Sequence, residues 1–349
     1  MEAVDRPGAP GIDVLVVVIA STGGWVSAAE ELTAGIRRAG ATAELVHTGS
    51  VPRVRTFALT DLTQALLARR TAVRAAATHQ PRAIVYCSIV GALLWPTPGA
   101  IFIDSMAAEN RPGRHGVWQR PVERRRLRQA PLILAWSGRS LAPLGEAGTH
   151  MCRRARRAPV VVLSPPIGSL PDPAAPAPAP RDVDVVVYAA DPEKRRLDLI
   201  LAAWQRVRRE REVLVVAGLD GFRAPDGVRS AGRLQRQAFR ALLRRSRVFA
   251  AAPRREDHGI APLEALADGC ILVTTPSPGP YPALAIAGAL DQRLVSDDIG
   301  RAIRIALDDP IPGYTASAIP HLEPFTTEAF DRILRAAVLP ALLPAWRSP

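Results

Sequence analysis

The chain has 349 residues, 48% hydrophobic and 22% charged, as in an ordinary globular protein. This length exceeds one compact core and predicts two domains of about 150–180 residues each. The formal net charge is +12, but only 5% of the residues are aromatic. Because the basic residues fall in separate helical stretches with no aromatic platform between them, a nucleic-acid partner is not expected.

The longest apolar run near the start, Val14 to Ala20, is too short to span a bilayer, and no signal-peptide pattern precedes it. Three scattered cysteines, Cys87, Cys152 and Cys270, are typical of a reducing compartment and match neither a disulfide framework nor a zinc site. A cytoplasmic protein is therefore predicted. The basic stretches leave two interpretations open: solvated helix faces, or attraction to an anionic acceptor or to the inner face of a membrane.

The first half alternates strand-like and helix-like segments. Ile12–Ala20 is a continuous β-branched run, typical of a strand buried on both faces, and Gly23–Gly24 leads from it into a helix over Val26–Ala39. The later elements are predicted strands over Thr42–His47, Ala83–Ser88, Ala100–Ile103, Leu132–Trp136 and Pro159–Leu163, with helices over Asp61–Thr78 and Val122–Gln129. This alternation predicts a doubly wound α/β domain over residues 1–163.

The composition changes at Ser164–Arg181, which is rich in Pro, Ala and Ser and is predicted to be an extended linker. A second α/β domain is predicted over residues 182–325, followed by a final helix over Thr326–Leu343 that packs back on the first domain. Its predicted strands are Asp184–Tyr188, Val213–Ala217, Val248–Ala252 and Ile271–Thr275, and its predicted helices are Leu197–Glu210, Gln235–Arg245 and Pro262–Asp268. Two such domains would face each other across a cleft at the carboxyl ends of their strands, where α/β sheets bind ligands.

The most informative stretch follows the strand Val248–Ala252 and reads RREDHGIAPLEALADG. Glu256 is expected in the loop, before Gly259 and Ile260, and Glu264 in the first turn of the next helix. Both carboxylates would lie beside a helix N-terminus, whose N–H groups suit a phosphate. This segment resembles the Glu-x7-Glu motif of retaining GT-B glycosyltransferases of the family 4 type.

By that resemblance, Glu264 would bind the ribose hydroxyls of a nucleotide-sugar, and Glu256 would contact the transferred sugar near the reacting carbon. Lys194, the one lysine in the chain, stands where the family places a lysine that grips the diphosphate. A compact ammonium suits such a point contact. The family arginine five positions earlier is replaced by Ala189, so Arg195, Arg196 and Arg255 all remain candidates for the second cation.

Two features of the N-terminal half extend the resemblance. Gly23 and Gly24 resemble the glycine-rich loop that approaches the donor phosphates, since glycines permit close backbone approach before a helix. Asp104, at the end of Ala100–Ile103, stands near the place of a family histidine that lies beside the transferred sugar. Asp104 is therefore a candidate catalytic residue with Glu256, although a structural or capping role fits it equally well.

The resemblance implies a two-domain GT-B fold and transfer of a sugar, with retention, from a UDP- or GDP-sugar to a sugar, lipid-linked or small-molecule acceptor. It implies no cofactor and no metal, because fixed cations would stabilise the leaving diphosphate. The principal alternative is a catalytically inactive GT-B protein that binds nucleotide-sugars or a partner, and a nucleic-acid-binding protein is suggested by charge alone.

Overall fold

The structure is a computed structural model that describes residues 11–20, 23–49, 54, 56–106, 109, 113–140, 158–170, 180–279 and 281–346. The chain divides into two compact units. The N-terminal unit comprises residues 1–166 and 327–349, and the C-terminal unit comprises residues 167–326. Each unit contains one parallel β-sheet.

The sheet of the N-terminal unit has the strand order β2-β1-β3-β4-β5-β6. Its strands are β1 (Val14–Ile19), β2 (Ala43–Thr48), β3 (Ala83–Cys87), β4 (Ala100–Ile103), β5 (Ile133–Ala135) and β6 (Val160–Val162). Every residue of β1 is buried, because the strand pairs in parallel with β2 on one side and with β3 on the other. Its continuous β-branched run suits such a central position.

Helices cover both faces of this sheet. They are α1 (Gly23–Arg38), α2 (Phe57–His79), α3 (Ile89–Leu93) and α4 (Gln119–Gln129). The chain moves outward from β1 to β2 through α1, and then back past β1 to β3, β4 and β5 through α2, α3 and α4. Right-handed crossovers therefore place α2, α3 and α4 on one face and α1 on the other.

The sheet of the C-terminal unit has the order β11-β10-β7-β8-β9 and is also parallel. Its strands are β7 (Val183–Tyr188), β8 (Leu214–Ala217), β9 (Val228–Gly232), β10 (Ser246–Ala251) and β11 (Ile271–Thr274). Sequence analysis missed β9, whose middle residues Arg229 and Ser230 are exposed at the sheet edge and give no apolar pattern.

The helices of this unit are α5 (Leu197–Val207), α6 (Arg236–Arg245), α7 (Ile260–Ala267), α8 (Pro282–Leu290), α9 (Ile299–Asp308) and α10 (Tyr314–Leu322). The buried side chains of α5 include Leu197, Ile200 and Trp204, which pack with the strands in one core. The last three helices were not predicted.

The C-terminal helical segment belongs to the N-terminal unit. It runs through α11 (Thr327–Ile333), a π-helical turn at Leu334–Val338 and α12 (Leu339–Leu342). Asp331 accepts two hydrogen bonds of 2.8 Å from Arg38 at the end of α1, and a Cβ on Gly35 would lie 2.5 Å from Leu334. The segment is therefore packed tightly against α1, in agreement with the predicted return of the chain.

The predicted linker, residues 164–181, needs a correction at its start. Ile167 is fully buried in the core of the C-terminal unit, and its N–H donates to the carbonyl of Phe325 at 2.9 Å. An isoleucine next to a sheet gains free energy when it is buried, even within a proline-rich segment. Residues 171–179 lie outside the described part of the chain.

The cysteines and the possibility of a membrane-spanning helix were also considered in the sequence. Cys87 and Cys270 are buried free thiols, and Cys152 lies outside the described residues. Among the helices that the structure describes, none combines the length and the hydrophobicity that crossing a bilayer requires.

Candidate functional site

Three loops meet at the carboxyl edge of the C-terminal sheet. They follow β7, β10 and β11, which are adjacent strands, so their carboxyl ends lie side by side. The N–H of Arg254 donates to the carbonyl of Lys194 at 2.9 Å, and the N–H of Glu256 donates to the carbonyl of Pro278 at 3.1 Å. The loop after β10, which carries Glu256, is therefore tied on both sides by backbone hydrogen bonds.

Glu256 lies in this loop and is almost completely buried, with 6% of its surface exposed. Its carboxylate forms an ion pair with the guanidinium of Arg195, from the loop after β7. A carboxylate this well buried needs such a partner to stay ionised. The structure thus brings together two residues that sequence analysis placed in different motifs.

Lys194 is exposed at this edge, beside Arg195. Its backbone N–H donates to the Asp191 carboxylate at 3.1 Å, which closes the turn before α5. Arg196 follows in the left-handed region, at φ 47°, and its side chain donates to the carbonyl of Ala252 and to the hydroxyl of Thr275. Arg196 therefore braces the loop against the ends of β10 and β11.

These contacts distinguish the three candidates for the second cation. Arg196 is occupied as a brace, and Arg255 pairs with Asp257 at 2.8 Å within its own loop. Arg195 is the candidate that is held against Glu256 in the loop cluster. The side chain of Ala189 is fully buried, so an arginine could not be accommodated there without rearrangement.

Helix α7 starts at Ile260 beside this cluster, two residues before its predicted start at Pro262. Gly259 is its N-cap residue with φ 78°, and a Cβ at this position would lie 2.6 Å from the Tyr281 ring. Glycine is thus required both by the left-handed backbone and by the contact. Because the helix begins at Ile260, Glu264 lies in its second turn, which corrects the prediction of the first turn.

Glu264 is 4% exposed and accepts a 2.8 Å hydrogen bond from Nε of Arg236, at the start of α6. Burial raises the pKa of the Glu264 carboxyl, and the positive charge of Arg236 opposes that rise. Sequence analysis missed Arg236, because 28 residues separate it from its partner and one arginine among many gives no signal.

The loop after β11 closes the cluster. Gly279 has φ 110°, and a Cβ there would lie 2.2 Å from the carbonyl oxygen of Glu256. A glycine at this position thus allows two backbones to touch. A small depression lies nearby, and its lining includes Tyr188, Arg195 and Pro262.

In the N-terminal unit, Gly23 and Gly24 are the first residues of α1, at the carboxyl end of β1. Among the residues that the structure describes, a Cβ on either glycine would meet nothing within 4 Å, so their packing does not require glycine at these positions. Asp104 directly follows β4, and its carboxylate accepts a 2.7 Å hydrogen bond from the N–H of Ser105. These three residues lie at the carboxyl edge of their own sheet.

Two acidic residues at the start of β7, Asp182 and Asp184, form structural contacts. Asp182 forms an ion pair with Arg245, and Asp184 accepts hydrogen bonds from the N–H of Val213 at 2.9 Å and from Arg247 at 3.2 Å. Both acids therefore join the amino-terminal ends of strands, at the edge opposite to the loop cluster.

Comparison with known proteins gives a family for the C-terminal unit. Residues 183–309 match the family model described as glycosyl transferases group 1. This range includes Lys194, Arg195, Glu256 and Glu264. No curated protein matches the chain in sequence.

Solved structures give the fold of both units. WaaG, a glycosyltransferase involved in lipopolysaccharide biosynthesis, is 13% identical with a TM-score of 0.66, over 93% of this chain and 100% of that chain. The α,α-trehalose 6-phosphate synthase from Burkholderia multivorans is 14% identical with a TM-score of 0.62, over 93% and 98%. The pneumococcal O-GlcNAc transferase GtfA, in complex with UDP and GlcNAc, is 13% identical with a TM-score of 0.51, over 74% of this chain and 57% of that chain. The predicted GT-B fold is confirmed.

Proposed function

We propose that this chain, which has the GT-B fold and carries a group 1 glycosyltransferase domain over residues 183–309, transfers a sugar from a nucleoside-diphosphate sugar to an acceptor hydroxyl. The observation that carries the proposal is the loop cluster itself. Lys194, Arg195 and Glu256 share one sheet edge with the N-terminus of α7, the helix that carries Glu264 of the Glu-x7-Glu motif.

The cations and the helix N-terminus suit a diphosphate. Lys194 is an exposed cationic residue at this edge, and the first N–H groups of α7, after Gly259, are not used within the helix. Breaking the bond to the sugar leaves negative charge on the diphosphate, which these fixed positive groups stabilise. They supply the charge that a metal ion supplies in other transferases, so the reaction is proposed to be metal-independent.

The two carboxylates suit hydroxyl groups. Glu264, oriented by Arg236, would accept hydrogen bonds from the ribose. Glu256, oriented by Arg195, would accept hydrogen bonds from the transferred sugar. The family 4 assignment and the retention of anomeric configuration rest on this motif. Asp104 in the N-terminal unit is proposed to bind a sugar or acceptor hydroxyl.

The proposed donor is a UDP- or GDP-sugar, and the proposed acceptor is a sugar, a lipid-linked molecule or a small molecule. GtfA, a structural neighbour, was crystallised with UDP and GlcNAc. The proposed location is the cytoplasm, with association at the inner face of the membrane.

A second candidate is a GT-B protein that binds a nucleotide-sugar without turning it over. The buried Ala189 favours it, because the arginine of the family motif is missing from that position. Nucleotide binding without any release of nucleoside diphosphate from a sugar donor would identify this candidate.

The test is calorimetric titration of the protein with UDP, GDP and ADP. One nucleotide is expected to bind with micromolar affinity, and Lys194→Ala or Glu264→Ala should weaken it by roughly 10- to 100-fold, the range for charged hydrogen bonds. The matched control is Arg211→Ala, an exposed cation just before β8, at the opposite edge of the same sheet. Absence of binding by the wild-type protein, or equal losses in the control, would refute the proposal.

A further inference from the structure

The outward face of α2 is apolar. Leu59, Leu62, Leu66 and Val73 are 47%, 37%, 41% and 48% exposed, and their spacing of three, four and seven residues places them on one stripe of the helix. The buried face holds Thr60 and Asp61 at the start of the helix and only alanines after them: Ala65, Ala68, Ala72 and Ala75.

This arrangement is the reverse of an ordinary surface helix. Such a helix buries its large apolar residues and exposes its polar ones, because each buried leucine contributes about 1.5–3 kcal/mol. Here the small residues are buried and the leucines face outward. A contiguous exposed apolar stripe of this kind marks a surface that is covered by another component.

Positive charge flanks the stripe. Arg69, Arg70 and Arg74 of α2 are exposed, and the one acidic residue of the helix, Asp61, is buried. Its carboxylate accepts a hydrogen bond of 3.2 Å from the amide of Gln119 at the start of α4. The outward side of α2 therefore combines leucine, valine and arginine without any acid.

Helix α4 lies near this part of α2, across the end of α3. Arg69 of α2 donates to the carbonyl of Leu94, and Arg126 of α4 donates to the carbonyl of Leu93, so the two helices flank the end of α3. The one acid of α4, Glu123, is completely buried. Its exposed arginines are Arg124, Arg125 and Arg128.

Many arginines of the C-terminal unit are compensated by nearby acids. Among the described residues there, ion pairs to Asp or Glu are formed by Arg195, Arg209, Arg233, Arg236, Arg240, Arg244, Arg245, Arg247, Arg255, Arg293 and Arg304. Within the described parts of the chain, no carboxylate pairs with Arg70, Arg74, Arg124 or Arg125. Residues 1–166 and 327–349 carry 24 arginines against 13 acidic residues, whereas residues 167–326 carry 21 basic residues against 20 acidic ones, so the net positive charge of the protein belongs almost entirely to the N-terminal unit.

We propose that this surface, the α2–α4 face, binds a membrane that contains anionic lipids. It comprises Leu59, Leu62, Leu66 and Val73 with Arg69, Arg70, Arg74, Arg124, Arg125 and Arg128. The helix α2 lies along the interface, its leucines enter the boundary between headgroups and acyl chains, and the arginines contact lipid phosphates. A membrane is the proposed occupant because it complements both features of the face. The apolar side chains match the acyl chains, and the arginines match the anionic headgroups.

The face lies in the N-terminal unit and stands independently of the donor site in the C-terminal unit. If glycosyl transfer is the reaction, the face would bring the protein to acceptors that are lipid-linked. The suggestion of a lipid-linked acceptor rests on the proposed function, whereas the binding of a membrane does not. Vesicle binding and nucleotide binding can therefore be measured and can fail separately.

The test is cosedimentation of the purified protein with vesicles of phosphatidylcholine, alone or mixed with phosphatidylglycerol. The wild-type protein is expected to sediment with the mixed vesicles, and high salt should release most of it. Arg70→Gln with Arg74→Gln should lower the partition coefficient roughly tenfold or more, and Leu62→Gln with Leu66→Gln should lower it by a similar factor.

Two control variants match these changes. Arg206→Gln with Arg211→Gln removes the same charge from exposed positions of the C-terminal unit. Val160→Gln with Val162→Gln removes exposed apolar side chains from the edge strand β6. Both controls should bind vesicles like the wild-type protein, and all variants should retain the far-ultraviolet circular dichroism and the nucleotide affinity of the wild type.

The proposal is wrong if the wild-type protein stays in the supernatant with anionic vesicles, or if the α2 variants bind as the controls do. Equal binding to pure phosphatidylcholine would also contradict it, because the arginines would then have no part. A dimer in sedimentation analysis that is lost in Leu62→Gln/Leu66→Gln, without vesicle binding, would instead assign the face to self-association.

Discussion

Two buried carboxylates of the candidate site are each held by an arginine from another element. Glu256 pairs with Arg195, and Glu264 pairs with Arg236. Both arginines are more exposed than their partners, since the side chains of Arg195 and Arg236 are 24% and 34% exposed. The acids are therefore fixed in position, and the cations can rearrange when a charged ligand enters.

This asymmetry gives a prediction for the Arg236–Glu264 pair. Arg236→Gln should lower the free energy of unfolding by about 2 kcal/mol, because it leaves a buried carboxylate without its cation. Glu264→Gln should cost less than about 1 kcal/mol, because water reaches the remaining arginine. Urea denaturation of both variants and the double variant measures this difference. Equal costs would show that burial of the acid does not control the pair.

At the scale of the elements, the loops at the carboxyl edge depend on glycine contacts between backbones. Gly259 permits α7 to start against Tyr281, and Gly279 permits the loop after β11 to touch Glu256. Gly23 and Gly24 differ, because they begin α1 and a Cβ on either would meet no described residue within 4 Å. Two classes of glycine thus exist in one chain: those that packing requires and those that it does not.

A matched pair of substitutions separates these classes. Gly279→Ala should lower the free energy of unfolding by at least about 2 kcal/mol. The alanine would have to adopt a positive φ, and its Cβ would clash with the backbone carbonyl of Glu256, so that one of the two loops would have to move. Gly23→Ala should change the free energy of unfolding by less than about 0.5 kcal/mol. Thermal and urea unfolding of the two variants provide the comparison. A stable Gly279→Ala protein would mean that the two loops can separate without cost.

Gly23→Ala has a second use in an assay of the transferase. A methyl group added at the start of α1 leaves the fold intact but occupies space that a ligand would need. If the glycine pair approaches the donor, sugar transfer should fall at least tenfold while nucleotide binding to the C-terminal unit is retained. Unchanged transfer would remove Gly23 from the proposed site.

At the scale of the whole molecule, each unit has its own sheet and core. A buried histidine should make the stability of the C-terminal unit depend on pH. His258 is completely buried in the C-terminal unit, edge-on to Phe325 at 5.9 Å, and burial lowers its pKa from 6.5 to about 3. Above pH 6.5 the imidazole is neutral in both the folded and the unfolded chain. As the pH falls below 6.5, the unfolded chain binds a proton that the folded chain cannot, so stability is lost down to about pH 3.

The expected loss is about 1.4 kcal/mol between pH 7.5 and pH 5.5, and His258→Phe should abolish that component. Phenylalanine is of similar size and belongs in an apolar site, so the variant should fold. Urea unfolding of the wild-type and variant proteins at both pH values isolates the contribution, because all other groups are common to the two. Parallel pH profiles would show that His258 is not responsible.

The sequence by itself determined the local order of the molecule. A continuous β-branched run identified β1 as a central strand, and the alternation of periods identified two α/β halves. The start of α7 was predicted to within two residues, because glycine and the first turn of a helix respond to backbone geometry nearby in the chain. Short or exposed elements such as α3 and β9 were missed because they carry too few buried positions to form a pattern.

Only the tertiary structure decided which side chains meet. Arg195 and Arg236 could not be assigned to Glu256 and Glu264, because their partners lie 61 and 28 residues away and any of many arginines carries the same charge. Ile167 joined a core from within a proline-rich segment. In α2, periodicity gives a helix but not its orientation. The narrow space beside the sheet accepts alanine, so the leucines face outward, against the ordinary rule for hydrophobic burial.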